Sequence, residues 1–196
     1  MVYLAVFAMV LCGLVLLVSA VSKVRGKAAY AEFAASVPAF GIPARWTSLF
    51  AAATVTAEFV ITALLLPATA SVLFGSASGW WLALAGLVFA AGLFGVLTAA
   101  VWRAVARRTG AVCRCFGPAR TVLAHRHVVR NALLLLVAVA GAIALAGASA
   151  MSTVDPVVAA LSAVVGAVGA VAVVRFDDLA ELFAGPIPDP RTPARK

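Results

Sequence analysis

Charge is scarce in this chain. Asp, Glu, Lys and Arg make up only 11% of its 196 residues, while 65% are hydrophobic; an average soluble domain has about 25% charged residues. That scarcity excludes a soluble domain of this length. It also excludes disorder, which requires high charge and low hydrophobicity. Acidic residues are the rarer sign, 7 against 15 basic, for a net charge of +8. In a soluble chain such an excess would indicate nucleic acid; here the charges must first be placed relative to the apolar runs. Cysteine is rare too: with three of them, one is left unpaired within a monomer. No basic residue precedes the first apolar run, so it lacks the n-region of a signal peptide. Cys12 follows Leu11 rather than a small residue, which is not the setting of a lipoprotein cysteine. No internal repeat and no second domain is visible.

What is present is oil in long runs. A bilayer core of about 30 Å takes about 20 apolar residues as helix. Five stretches qualify: 2–21, 48–66, 80–102, 131–149 and 156–174. Four carry no charge, and the second carries only Glu58. Backbone polar groups in lipid must pair within their own segment, so these runs are helices. Ala, Gly and Val dominate the last two, and small residues permit close helix contact. The fold class is therefore all-α, a polytopic membrane helix bundle of about five transmembrane helices. A single integral-membrane domain covers 1–174, and a partly disordered tail of 175–196 ends in a proline-broken segment.

The loops give a sidedness. Lys23, Arg25, Lys27 and Arg45 follow span one, seven arginines from Arg103 to Arg130 follow span three, and the remaining four basic residues lie after span five. All fall on one side, which the positive-inside rule makes cytoplasmic, with the N-terminus outside. Trp46 and Trp102 fall at that interface and Trp80 and Trp81 at the other, as an aromatic belt requires. The basic excess thus marks orientation and attraction to anionic lipid, about 1 kcal/mol per residue near the surface; no nucleic-acid partner is expected. Between spans one and two, Tyr30, Phe33, Ala34 and Val37 recur at helical spacing and predict a short interfacial helix, stopped by Pro38 and Pro43.

Few residues could carry chemistry. Cys113 and Cys115 flank Arg114 in an arginine-rich loop that continues Phe116-Gly117-Pro118. Cationic neighbours favour thiolate, the nucleophile of disulfide exchange. A bridge between the two would close a tight, labile ring. The bland alternative is two loop cysteines kept reduced in cytoplasm. His125 and His127 follow, so Cys113, Cys115, His125 and His127 form a weak candidate zinc set, without standard finger spacing. Cys12, mid-span, reads as a small apolar residue, or as a third thiol if it approached the loop pair. Glu58 is costly in lipid unless paired or wetted, so it is expected to face the bundle interior, with Thr54 and Thr62 at i−4 and i+4 on the same face. Lys23, Arg25, Arg130 and Asn131 are its candidate partners. Either it fixes helix packing or it has a proton or redox role.

Together these pieces resemble the MauE family of methylamine-utilisation membrane proteins, within the wider DoxX-like group. The matching pieces are Ser22-Lys23-Val24-Arg25 closing span one, Ala57-Glu58-Phe59, the Cys113-Arg114-Cys115-Phe116-Gly117 loop, and Arg130-Asn131 opening span four. The loop followed by Arg-Asn is the specific part; span five lies outside the match, as an addition to a four-helix core. The resemblance implies a role in maturation, transport or processing of a partner such as the methylamine dehydrogenase beta subunit, a disulfide-rich periplasmic protein, and a redox-associated character. It brings no catalytic assignment. A quinone enters only by analogy with helix-bundle thiol oxidases, and analogy of fold is not a site.

The functional expectation is an integral cell-membrane accessory protein, a candidate thiol–disulfide oxidoreductase, with Cys113 and Cys115 as the redox pair and Glu58 as a buried carboxylate. Its expected partners are the lipid bilayer and a protein client or membrane partner, a thioredoxin-like protein among the options. The alternatives are a non-catalytic scaffold or accessory subunit and a small proton-coupled transporter using Glu58. The sidedness creates a tension, because a periplasmic disulfide oxidase needs its thiols outside. Either the loop re-enters the bundle, or the pair takes electrons from a cytoplasmic donor, or the orientation is reversed.

Overall fold

The computed structural model describes residues 1–74, 77–107, 125–148 and 154–176. Its helices are α1 (Val2–Val24), α2 (Lys27–Ser36), α3 (Thr47–Leu73), α4 (Ala77–Ala106), α5 (His125–Ala146) and α6 (Pro156–Val174), with 3-10 turns at Val37–Phe40 and Ala44–Trp46. No strand occurs among the described residues. Five of the helices are long and apolar enough to cross a membrane, so the chain is a multi-pass membrane protein. α1, α3 and α4 outrun the expected spans, α5 is shifted toward the N-terminus, and α6 matches the expected 156–174. α3 continues past Pro67 to Leu73, because lipid and neighbouring helices tolerate a proline that would end a helix in water. α5 begins at His125 and carries its basic residues inside the first two turns.

α1 is the axis of the bundle. It packs on α3, α5 and α6, and α4 closes the outer ring between α3 and α5. Its buried stripe runs Ala5, Ala8, Cys12, Val15, Ser19 and Lys23, spacings of three and four that hold one helix face. α3 buries Ala51, Val55, Glu58, Thr62, Leu65, Thr69 and Val72, alternating steps of four and three. α5 buries His127, Asn131, Leu134, Ala138, Gly141 and Leu145 in the same alternation. A 3.5-residue repeat keeps a seam facing one neighbour, the pattern of left-handed helix packing.

Close approach depends on missing side chains. A Cβ on Gly141 would sit 2.4 Å from the Ala8 Cβ, and one on Gly166 would sit 2.8 Å from the Phe7 carbonyl oxygen. These two glycines let α5 and α6 lie against α1, the small-residue contact that lipid favours. α6 starts at a strong boundary: Asp155 caps it by accepting from the N–H of Val157 (2.8 Å) and of Val158 (3.3 Å), and Pro156 occupies the first turn, where a missing N–H costs little. The Asp155 N–H donates to the Tyr3 hydroxyl at 3.1 Å, tying α6 to the Met1 end of α1.

The opposite end, where α1 finishes and α3 begins, is roofed differently. α2 and the turn Val37–Phe40 fold back beneath α1, α3 and α4. Gly41, at φ 88°, ends that turn and donates its N–H to the Pro38 carbonyl at 2.9 Å; a left-handed position of this kind suits glycine. The amphipathic segment expected to lie on the interface therefore also closes one end of the bundle.

Candidate functional site

The polar centre of the protein is built by α1 and α3. Ser19 and Lys23 are one helical turn apart on the buried face of α1, and Glu58 faces them from α3. Lys23 Nζ donates to Glu58 Oε1 at 2.5 Å and to Ser19 Oγ at 2.7 Å, and Ser19 Oγ donates to the same Glu58 oxygen at 2.9 Å. The relative exposures of Lys23 and Glu58 are 3% and 1%, so this is a desolvated ion pair rather than a surface one. Lys23 is also in the last turn of α1, where the helix dipole favours a cation, and its ammonium lies 5.0 Å from the centre of the Phe33 ring of α2, a cation–π distance. Glu58 Oε2 is buried and has no hydrogen-bond partner among the described residues.

Beside this cluster lies a cavity of about 170 Å³. Val15, Leu16, Leu134 and several phenylalanines form its apolar wall; Ser19, Lys23, Glu58, Thr54 and Asn131 contribute the polar part. Thr62 is buried a turn away on α3 and donates to the Gly13 carbonyl at 3.4 Å. Thr54 bonds its own helix at the Phe50 carbonyl, 2.8 Å.

The candidate partners of Glu58 separate clearly. Lys23 is its cation. Asn131 is on the wall of the same cavity without bonding the carboxylate. Arg130 is buried on α5 and forms no ion pair with Glu58. Arg25 is exposed beyond the end of α1: two residues past Lys23, it is turned to the other side of the helix and makes no contact with Glu58. Ser19 was not among the expected partners; its i−4 position from Lys23 is the signal that would have found it.

Cys12 is fully buried in the apolar core, about 16 Å along α1 from Lys23 at ~1.5 Å per residue, and does not line the cavity. Cys113, Cys115, Phe116 and Gly117 lie outside the described residues, as does the tail from 177 onward. The chain leaves the described structure after Arg107 and returns at His125, both at the Lys23 end. Arg107 reaches the Gly41 turn, and the His125 ring meets Trp102 edge-on with centroids 6.3 Å apart. His125 is exposed while His127 is buried, as two positions separated by two on a helix must diverge. Among the described residues no three His, Cys, Asp or Glu side chains converge on a metal position.

The sequence matches the family model of methylamine utilisation protein MauE over residues 1–146. The chain belongs to the MauE family. The match takes in α1 to α5, the ion pair, the cavity and both loop cysteines, and it stops where α5 ends; α6 is outside it. No curated protein and no solved structure matches the chain. MauE membership agrees with a membrane accessory protein, and the four-span core that the family covers is the part that holds the polar centre.

Proposed function

We propose that this MauE-family protein is a redox-linked accessory factor of the cell membrane that serves the disulfide maturation of a partner protein, of which a methylamine dehydrogenase beta subunit is the type implied by the family. Cys113 and Cys115 form the exchanging pair. As a disulfide, the pair takes two electrons and two protons from a client dithiol; the client gains a disulfide and the pair becomes a dithiol, to be reoxidised by the disulfide form of a thioredoxin-like protein, which takes those electrons and protons and leaves as a dithiol. The observation that supports this reading most is the family match, which spans both cysteines together with the ion-paired core. The arginines around the loop favour the thiolate form.

In this reading the ion pair is structural. It fixes α1 against α3 at the Lys23 end, the carboxylate accepting from an ammonium and a hydroxyl. The basic residues put the Lys23 end, and with it the cysteine pair, on the cytoplasmic side, so the client dithiol meets the pair before the client is exported.

The test has two arms. In cells making the client, Cys113→Ser and Cys115→Ser should each abolish client disulfide formation at unchanged protein level; full maturation with both replaced overturns the redox reading. A membrane-impermeant thiol reagent should label the pair only after membranes are opened. Labelling in intact cells reverses the orientation and leaves the exchange chemistry standing on the other side.

A further inference from the structure

The cavity beside Glu58 has a feature that packing does not explain. Oε1 of the carboxylate accepts two hydrogen bonds, from Lys23 and Ser19, yet Oε2 is buried without a donor among the described residues, and Glu58 lines the cavity. A buried acceptor left unmade costs about 1–3 kcal/mol, more when charged. A ligand that donates one hydrogen bond there would recover that cost.

The surroundings define the ligand. Lys23 and Glu58 already neutralise each other, so a cationic donor would bring an uncompensated charge into an apolar site, and an anion would meet the carboxylate. The donor is therefore neutral, and of the neutral donors an O–H makes the shorter bond to a carboxylate. The walls carry the rings of Phe33, Phe40, Phe50 and Phe94, which suit a flat ring by offset or edge contact. The volume, about 170 Å³, suits one six-membered ring, since an apolar cavity of about 150 Å³ accepts benzene. Phe50 of α3 and Val96 of α4 belong to the lining and are also exposed on the apolar flank of the bundle, so entry is from the lipid side. Asn131 supplies a second polar contact on the wall.

We propose that this cavity binds the ring head of a neutral, membrane-soluble phenol, its O–H donating to Glu58 Oε2 and its apolar tail leaving between α3 and α4. The inference rests on the cavity alone and not on the cysteine chemistry, so the two stand or fall separately.

The full chain in lipid nanodiscs, titrated calorimetrically with 4-hexylphenol, hexylbenzene and 1-dodecanol, tests it. Ala100→Phe, which puts a ring into the cavity from α4 and leaves both partners of the ion pair in place, supplies the correction for partition into lipid. Saturable binding of one 4-hexylphenol per chain is expected, lost in Ala100→Phe, with hexylbenzene and 1-dodecanol each at least tenfold weaker. The paired replacement Lys23→Met with Glu58→Leu removes the acceptor without stranding a charge; it should bind hexylbenzene as well as 4-hexylphenol. Equal binding of hexylbenzene and 4-hexylphenol by the wild-type chain would show that the acceptor is not read and overturn the proposal. So would equal binding of 1-dodecanol, which makes the cavity a lipid-alcohol site. Binding that survives Ala100→Phe, or no saturable binding of the phenol, also overturns it.

Discussion

The two ends of the bundle are held together by different means. At the Met1 end, Ala5, Val6, Ala8, Met9, Leu65, Leu87 and Leu145 are essentially without exposure, and Gly141 brings α5 against Ala8. At the Lys23 end the same helix, α1, meets its neighbours through Ser19, Lys23 and Glu58 and leaves a cavity. Lipid tails are as apolar as leucine, so burial alone does not drive helices together in a membrane. Close van der Waals fit does so at one end; at the other, a desolvated ion pair holds the helices and open space remains for a ligand. One axis thus carries a filled half held by close fit and a hollow half held by an ion pair beside open space.

The sharpest way to break that division is to strand a charge. Glu58→Leu leaves Lys23 buried without its anion, which should cost about 3–5 kcal/mol, read as a shift in the unfolding midpoint in mixed micelles. Adding Lys23→Met should recover most of the loss, since a buried pair replaced whole by apolar residues is often near neutral. A double variant as unstable as the single would mean that the pair contributes more than charge balance. Next in size is a matched truncation. Leu87→Ala at the filled end opens a new void and should cost about 2–5 kcal/mol. Leu134→Ala only widens an existing cavity that lipid can enter, and should fall at the low end of that range, about 2 kcal/mol. Equal losses would mean that the hollow half is as tightly packed as the other. Gly141→Leu should follow: its Cβ alone would lie 2.4 Å from Ala8, and overpacking of this kind typically costs about 1–3 kcal/mol.

The sequence made the architecture readable because each span is a long uncharged run, and a run of that length has one stable form in lipid. Glu58 stood out for the same reason: a single carboxylate in such a run must find a partner. Its bearing was readable too, through Thr62 on the same face, which the structure buries beside Gly13. The choice of partner was not. Several basic residues crowd the helix ends, and which one turns inward depends on helix phase and on where α1 stops, quantities set by packing. Ser19 escaped notice because serine in an apolar run looks unremarkable until a cation sits one turn away. The cavity was invisible for a deeper reason: empty space is a property of how four helices meet, and no residue type encodes it. α5 also starts earlier than its composition indicates. Its basic residues look like a loop by composition, yet His127, Arg130 and Asn131 are buried on one face of the helix.

The smallest expected effect probes the same division from outside. Arg25 is two positions from Lys23 and chemically similar, so in the sequence the two compete on equal terms for Glu58. In the structure Arg25 is exposed past the helix end, and Lys23 alone reaches the carboxylate. Arg25→Gln should therefore change stability by no more than about 0.5 kcal/mol, the range of surface substitutions, whereas Lys23→Gln leaves Glu58 without its cation and should fall with the large losses. The comparison holds net charge loss constant and varies only burial. If the two variants lost stability equally, the basic residues at this end would act through their summed charge at the membrane surface, and the ion pair would lose its claim to hold the hollow half together.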